Sequence, residues 1–152
     1  MKTNFQRTAE WLTACGRPAD PGSPIKTSVQ IGCQIEEIVE FFSCLRMEKE
    51  GYAKLLDRVQ EDLTWLAMKL KKGEVIAYIP HHLRVDALDA LCDIEVTGNG
   101  IAHMSGFKKD EADQRVLASN DAKLVDGKPV LLEGGKITKP QGWKAPDLTD
   151  CV

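Results

Sequence analysis

Long apolar runs are absent from this chain, and their absence excludes one large class of protein. No stretch approaches the ~20 consecutive apolar residues that a membrane-spanning helix needs. The opening residues, MKTNFQRTAEW, also lack the apolar core of a secretory signal peptide. We therefore expect no association with a membrane and a cytoplasmic location.

A surplus of basic residues is missing as well. The chain has 20 Lys and Arg residues against 23 Asp and Glu residues, which gives a net charge of −3. Proteins that bind a nucleic-acid backbone usually carry a basic patch and an excess of positive charge. We therefore expect no nucleic-acid partner.

Closely spaced cysteine pairs are not found either. The five cysteines are an odd number, and none of them forms a CxxC pair. A disulfide framework needs an even set of cysteines, and thiolate zinc sites use closely spaced pairs. The pattern predicts free thiols in a reducing compartment.

What the sequence does contain is helical periodicity. At 152 residues the chain is expected to form a single domain. A loop is predicted at 16–24, where three prolines and two glycines fall together. Five helices are predicted, at about 5–14, 26–47, 49–72, 83–104 and 109–123, and apolar residues recur at helical spacing in the second and third of them.

The character of the chain changes after Leu124. Segment 127–138 predicts a small hairpin that turns at Gly134-Gly135, and the tail from Pro140 is expected to be irregular. The sequence therefore predicts an all-α fold, a bundle of four to five helices over about residues 3–123, with a small C-terminal β-hairpin and irregular tail over residues 124–152.

Three glutamates stand close together on the second predicted helix. Glu36, Glu37 and Glu40 fall within an arc of roughly 100°, where like charges repel unless a cation neutralises them. A solvated polar face is the simpler interpretation. However, Cys33 and Cys44 flank the acids on the same arc, and the helix is otherwise apolar nearly all round, which favours burial or a partner surface.

Three aspartates form a similar group on the fourth predicted helix. Asp86, Asp89 and Asp93 share one face among apolar neighbours, although Asp is only a middling helix former. Asp86 is the weakest candidate because an acid in the first turn can simply favour the helix dipole. Carboxylates from two such helices would be hard ligands suited to Mg²⁺ or Mn²⁺, and metal sites of that kind act on phosphate esters and anhydrides.

These acidic motifs occur in order with later segments, and together they resemble the MazG-like and phosphoribosyl-ATP-pyrophosphohydrolase-like superfamily. The resemblance covers most of the chain and is weakest over about 47–78. It is closest to the phage-type members. The matching segments are Glu36 to Glu40, Asp89 to Asp93, 118–124, 126–129 and 135–148.

The resemblance implies a Mg²⁺-dependent hydrolase, with Mn²⁺ as a possible substitute, that forms a homodimer or homotetramer. Members convert a nucleoside triphosphate and water into a monophosphate and diphosphate, so the expected task is control of nucleotide pools in a bacterial or phage-infected cell. The implied general base is Glu37. Asp89 replaces the acid that the family's commoner spacing would put at Ala90. The implied metal ligands are Glu36, Glu37, Glu40, Asp89 and Asp93.

Substrate-binding residues are also implied by the resemblance. Lys123 would neutralise phosphate charge, and Asn120 would hydrogen-bond phosphate or sugar. Trp11 or Phe5 would stack on the base. A simpler interpretation of Lys123 and Asn120 is that they end a helix, and core packing is the simpler role for either aromatic residue taken singly.

Two alternatives remain open at this stage. The first is the same chemistry with a narrow base preference, as in a dUTPase or dCTPase. The second is a non-catalytic helical oligomer that binds a nucleotide or a partner protein. The second alternative predicts binding without turnover, and a function that survives Glu37→Gln.

Overall fold

The computed structural model describes residues 2–20, 22–131 and 137–152, and these are mostly helical. The predicted all-α class is therefore confirmed. No helix in these ranges combines the length and apolarity that crossing a bilayer requires. The described α-helices are α1 (Asn4–Ala14), α2 (Pro24–Ser43), α3 (Glu50–Lys71), α4 (Arg84–Met104) and α5 (Lys109–Asp121).

Short elements complete the description. Strands β1 (Leu124–Val125) and β2 (Lys128–Pro129) form an antiparallel pair, and 3₁₀ turns occupy His81–Leu83 and Thr149–Cys151. The chain divides into two compact units, one formed by Asp20–His81 and the other by the segments on either side of it. The expectation of one domain over the whole chain stays a prediction.

Helices α2 and α3 form the unit at Asp20–His81. Pro24 opens α2 at a position where its missing N–H removes no helical hydrogen bond. The two helices approach most closely at Gly32, where a Cβ atom would lie 2.9 Å from Cγ of Lys71 and 3.0 Å from the carbonyl oxygen of Ala67. Glycine is therefore what permits this approach.

The chain after α3 folds back over the first turns of α2. Gly73 ends the helix with a φ of +70°, and its N–H donates to the carbonyl of Leu70 at 3.1 Å, as in a glycine-terminated helix. The hydroxyl of Ser28, which is almost wholly buried, then accepts a hydrogen bond of 3.0 Å from the N–H of Ala77. This bond satisfies the buried hydroxyl and fixes the returning segment.

Helix α2 is shorter than its apolar pattern predicts. It ends at Ser43 and not near residue 47. Arg46 explains the difference, because its guanidinium donates to the carbonyls of Ser43 at 2.9 Å and Leu45 at 2.7 Å. Arginine can satisfy the last carbonyls of a helix in this way, so the apolar residue Leu45 lies beyond the helix end.

Helices α1, α4 and α5 belong to the second unit. α1 begins with a capping box between Thr3 and Gln6. It is joined to α5 by Arg7, whose guanidinium donates to Oε1 of Gln114 and to Oδ2 of Asp121, both at 2.7 Å. These bonds set α1 along α5.

The C-terminal tail is irregular over most of its length, as expected, but it is fastened to α5. Arg115 donates to both carboxylate oxygens of Asp150 and, at 2.7 Å, to the carbonyl of Asp147. The guanidinium lowers the pKa of Asp150 to about 2. Next to it Cys151 is buried, and its carbonyl accepts a hydrogen bond of 2.9 Å from the N–H of Lys108.

The structure contains a hairpin at 124–129 that the sequence analysis does not predict. β1 and β2 are joined by Asp126 and Gly127, with φ of +52° and +73°, the left-handed pair that a two-residue hairpin turn requires. The expected turn at Gly134-Gly135 lies outside the described residues. An antiparallel bridge between Leu131 and Ile137 is described on either side of it.

Candidate functional site

Of the four residues predicted to contact substrate, Phe5 is exposed, and the other three, Trp11, Asn120 and Lys123, come together at the C-terminal end of α5. The indole N–H of Trp11 donates to the backbone carbonyl of Asn120 at 2.8 Å. The ammonium of Lys123 donates to the side-chain Oδ1 of the same residue at 2.9 Å. One residue of α1 and two residues at the C-terminal end of α5 therefore form one hydrogen-bonded group.

A second tryptophan binds the same helix end. The last four carbonyls of an α-helix lack partners inside the helix. The indole N–H of Trp143 donates to the carbonyl of Ser119 at 2.9 Å, next to the Asn120 carbonyl that Trp11 occupies. One indole from α1 and one from the C-terminal tail thus cap two successive carbonyls of α5. Each hydrogen bond also holds its indole ring in place.

Two lysine ammonium groups lie close to the Trp143 ring. The ammonium of Lys123 lies 5.6 Å and that of Lys139 lies 4.3 Å from the ring centroid, within the range of cation–π attraction. In the parts of the chain that the structure describes, no carboxylate forms a salt bridge with either ammonium. This group, which we name the Trp143 cluster, consists of Trp143, Lys123, Lys139 and Asn120.

The pKa of the Cys15 thiol reflects the charges near this cluster. Burial raises the pKa of its thiol, and the positive charges of Arg17 and Lys123 oppose that shift. The thiol is therefore protonated near neutral pH, and it is a poor nucleophile or metal ligand there. Both of these positive charges therefore act on the Cys15 thiol.

The predicted glutamate ligands lie on α2 in the unit at Asp20–His81. Glu36 forms a salt bridge with Lys71 of α3, so a cation already neutralises one member of the group. Glu37 and Glu40 are exposed. The mutual repulsion expected from the sequence is therefore relieved in part by Lys71.

The predicted aspartate ligands lie on α4, in the other unit. Asp89 and Asp93 are exposed, as is Asp86. The C-terminal end of α4 is closed by the chain that follows it: Ala102 is buried there, and its carbonyl accepts a hydrogen bond of 3.0 Å from the N–H of Phe107. The aspartates lie toward the opposite, N-terminal end of the helix.

The chemistry of these donors suits magnesium, because all of them are carboxylate oxygens. Their placement does not supply a complete site within the described residues, where no group of three or more His, Cys, Asp or Glu side chains could hold a metal ion. The assignment of Glu36, Glu37, Glu40, Asp89 and Asp93 as metal ligands stays a prediction.

Two members of the Trp143 cluster had no role in the sequence analysis. Trp143 and Lys139 stand in a tail without periodicity, where the patterns that locate helices and strands are silent. One signal was present: a tryptophan between lysines in a stretch rich in proline and glycine. A large aromatic residue in such a segment must pack on something, and here it packs on the end of α5.

No protein-family model, no curated protein and no solved structure matches this chain. The family assignment therefore stays a prediction that rests on the ordered motifs.

Proposed function

We propose that the protein is a Mg²⁺-dependent nucleoside triphosphate pyrophosphohydrolase, which converts a (d)NTP and water into a (d)NMP and diphosphate. One observation carries the proposal. Trp11, Asn120 and Lys123, which the motif pattern implicates in substrate binding, form one hydrogen-bonded group although Trp11 is 109 residues from Asn120. A ring, an amide and an ammonium are the groups that a base, a sugar and a phosphate require.

The hydrogen bonds within this group assign each side chain a part. The amide oxygen of Asn120 accepts from Lys123, so the amide NH₂ is the part of that side chain that can donate to a sugar or phosphate oxygen. The ammonium of Lys123 has three donors, and it can neutralise phosphate charge. The N–H of Trp11 is used by Asn120, so Trp11 contributes a ring face for stacking on the base.

The acids supply the hydrolytic part of the proposal. Glu37 accepts the proton of the attacking water, which adds to the α-phosphorus as the bond to the bridging oxygen breaks and diphosphate leaves. The proposed Mg²⁺ ligands are Glu36, Glu37, Glu40, Asp89 and Asp93, and the ion when bound would polarise the phosphate oxygens. The exposure of Glu37 and Glu40 is compatible with these roles.

A homodimer or homotetramer is part of the same proposal. The apolar side chains of α4 are unusually open, with Val85 79% and Met104 88% exposed. Large open apolar surfaces often mark interfaces between proteins. The same observation favours the second candidate, a non-catalytic oligomer that binds a nucleotide or partner protein.

Product analysis separates these candidates. The purified protein is incubated with each common NTP and dNTP and Mg²⁺, and the products are separated by anion-exchange chromatography. Glu37→Gln and Glu40→Gln are assayed in parallel. Glu61→Gln is the matched control, because Glu61 is an exposed glutamate on α3 outside the motif.

We expect the wild type and Glu61→Gln to release nucleoside monophosphate and inorganic diphosphate. The two motif variants should release neither product. The preferred base then decides whether the enzyme is a narrow dUTPase or dCTPase. Nucleoside diphosphate and phosphate as products would contradict the proposed cleavage position. Nucleotide binding without turnover in any sample would favour the non-catalytic candidate.

A further inference from the structure

We propose that the Trp143 cluster is a polyphosphate-binding site, in which Lys139 and Trp143 extend the phosphate contacts beyond Lys123. The identity of the natural ligand, the triphosphate of a nucleotide, rests on the proposed function. The binding of a polyphosphate chain rests on the cluster itself. The argument depends on its charge, its free donors and its rigidity.

The charge of the cluster calls for an anion. The ammonium groups of Lys123 and Lys139 lie 5.6 Å and 4.3 Å from the centroid of one indole ring, and two positive charges gathered at one ring repel each other. Within the described ranges no salt bridge offsets either charge. A polyvalent anion that contacts both ammonium groups would neutralise both charges.

The cluster also retains hydrogen-bond donors for such an anion. Lys123 uses one of its three N–H groups on Oδ1 of Asn120, which leaves two for phosphate oxygens. Lys139 is exposed, so its ammonium is accessible from solvent. Arg17, whose charge acts on Cys15 together with that of Lys123, adds positive potential on the α1 side.

Trp143 makes the site rigid. Its N–H is bound to the carbonyl of Ser119, and the hydroxyl of Ser119 lies 3.4 Å from the carbonyl of Lys144, the residue after Trp143. The ring is therefore fixed relative to α5. Both lysine ammonium groups approach this ring. A preorganised set of cations loses less conformational entropy when it binds a ligand, so Trp143 is a positioning residue for Lys123 and Lys139.

The size of the cluster favours a short polyphosphate over a nucleic acid. Its positive charge is concentrated around one ring, while the whole chain has a net charge of −3. A nucleic-acid backbone is usually bound by a basic stripe or patch on a domain with a basic surplus. A compact anion with several charges, such as a triphosphate, matches two lysines at one ring.

Calorimetric titration of the full chain with inorganic tripolyphosphate, without added metal, tests the site. Lys139→Gln is the principal variant, and Lys144→Gln is the matched control because Lys144 is an exposed lysine five positions further along the tail. Loss of a charge-assisted hydrogen bond should weaken binding by about tenfold in Lys139→Gln. Lys144→Gln should bind as the wild type does.

Trp143→Phe tests the positioning role. Phenylalanine keeps a ring but has a weaker cation–π face and no N–H, so tripolyphosphate affinity should fall, while circular dichroism reports whether the variant is folded. If it does not fold, Lys139→Gln still decides the question. A short single-stranded DNA oligonucleotide is titrated in parallel to distinguish a nucleic-acid backbone from free polyphosphate.

Equal tripolyphosphate affinity in wild type and Lys139→Gln would overturn the proposal, as would an absence of binding or tighter binding of the oligonucleotide. Failure of the proposed function looks different. Tripolyphosphate binding that depends on Lys139, in a protein that hydrolyses no nucleotide, would support the site and reject the enzyme. Hydrolysis with an unchanged KM in Lys139→Gln would support the enzyme and reject the site.

Discussion

The indole N–H of Trp11 donates to the backbone carbonyl of Asn120 at 2.8 Å, across 109 residues of sequence. The side-chain Oδ1 of Asn120 also accepts a hydrogen bond from the ammonium of Lys123. The first helix is thereby tied to the residue that we propose as a substrate contact. A change in Trp11 should therefore alter the stability of this unit and the orientation of the Trp143 cluster together.

Trp11→Phe isolates the contribution of that hydrogen bond. The substitution keeps a ring and removes the N–H, while the Asn120 carbonyl still accepts the N–H of Lys123. We expect a loss of about 1 kcal/mol in the free energy of unfolding, measured by urea denaturation. Phe5→Leu is the control, because Phe5 is 81% exposed and should change stability by less than about 0.5 kcal/mol. Equal effects of the two substitutions would show that the Trp11 bond contributes nothing.

Gly32→Ala should destabilise the α2–α3 pair although alanine is the better helix former. The new Cβ would lie 2.9 Å from Cγ of Lys71 and 3.1 Å from Cβ of Leu70, so one helix must move. Overpacking of this kind costs about 1–3 kcal/mol. In α4, a Cβ added at Gly100 would meet no packed neighbour within 4 Å, so Gly100→Ala should instead stabilise by about 0.5–1 kcal/mol. Urea denaturation of both variants checks the contrast, which disappears if the helices are not closely packed at Gly32.

The ion pair between Arg115 and Asp150 predicts a specific pH dependence. The folded-state pKa of Asp150 is about 2, below the value of about 3.9 for an unperturbed aspartate. Its contribution to stability is therefore fully present above about pH 4 and is lost as the pH falls toward 2. An NMR titration of the Asp150 carboxyl carbon should show the low midpoint, and Arg115→Gln should return it toward the ordinary value. A midpoint near 4 in the wild type would contradict the ion pair.

The cysteines should react with iodoacetamide in a defined order. Cys44 and Cys92 are exposed and Cys151 is buried. Cys15 is half-buried with a raised pKa, so little of it is the reactive thiolate at neutral pH. Mass spectrometry of a time course at pH 7.5 should show Cys44 and Cys92 alkylated first. Lys123→Gln should slow Cys15 further, because it removes a charge that lowers the thiol pKa, and a faster reaction would contradict that placement.

Helix positions were the most predictable feature of this chain, because periodic apolar residues report directly on a helix that packs along one face. The ends were less predictable. The apolar pattern continues past Ser43 to Leu45, and it does not record the hydrogen bonds of Arg46 at the point where α2 stops. The hairpin that turns at Asp126-Gly127 was missed, although an Asp-Gly pair is a strong signal for a two-residue turn.

The candidate site was predictable only in part, for a physical reason. Motif order singled out Asn120, Lys123 and Trp11, and the structure joins them. Trp143 and Lys139 belong to a tail whose placement depends on tertiary contacts with α5. No local periodicity records such contacts, so the tail sequence marks Trp143 as a residue that must pack on something, and only the fold shows that it packs on α5.

The capping of α5 by Trp11 and Trp143 also decides which parts of the protein can fold first during synthesis. The α2–α3 hairpin is continuous in sequence and needs only its own residues. Trp11, by contrast, has no partner until Asn120 has been made, 109 residues later. At about 5–20 residues per second, translation takes roughly 5–20 s to supply that partner. During this interval α1 is an isolated short helix, which is only marginally stable in water, so a chaperone or a protease would meet this segment before the folded protein exists.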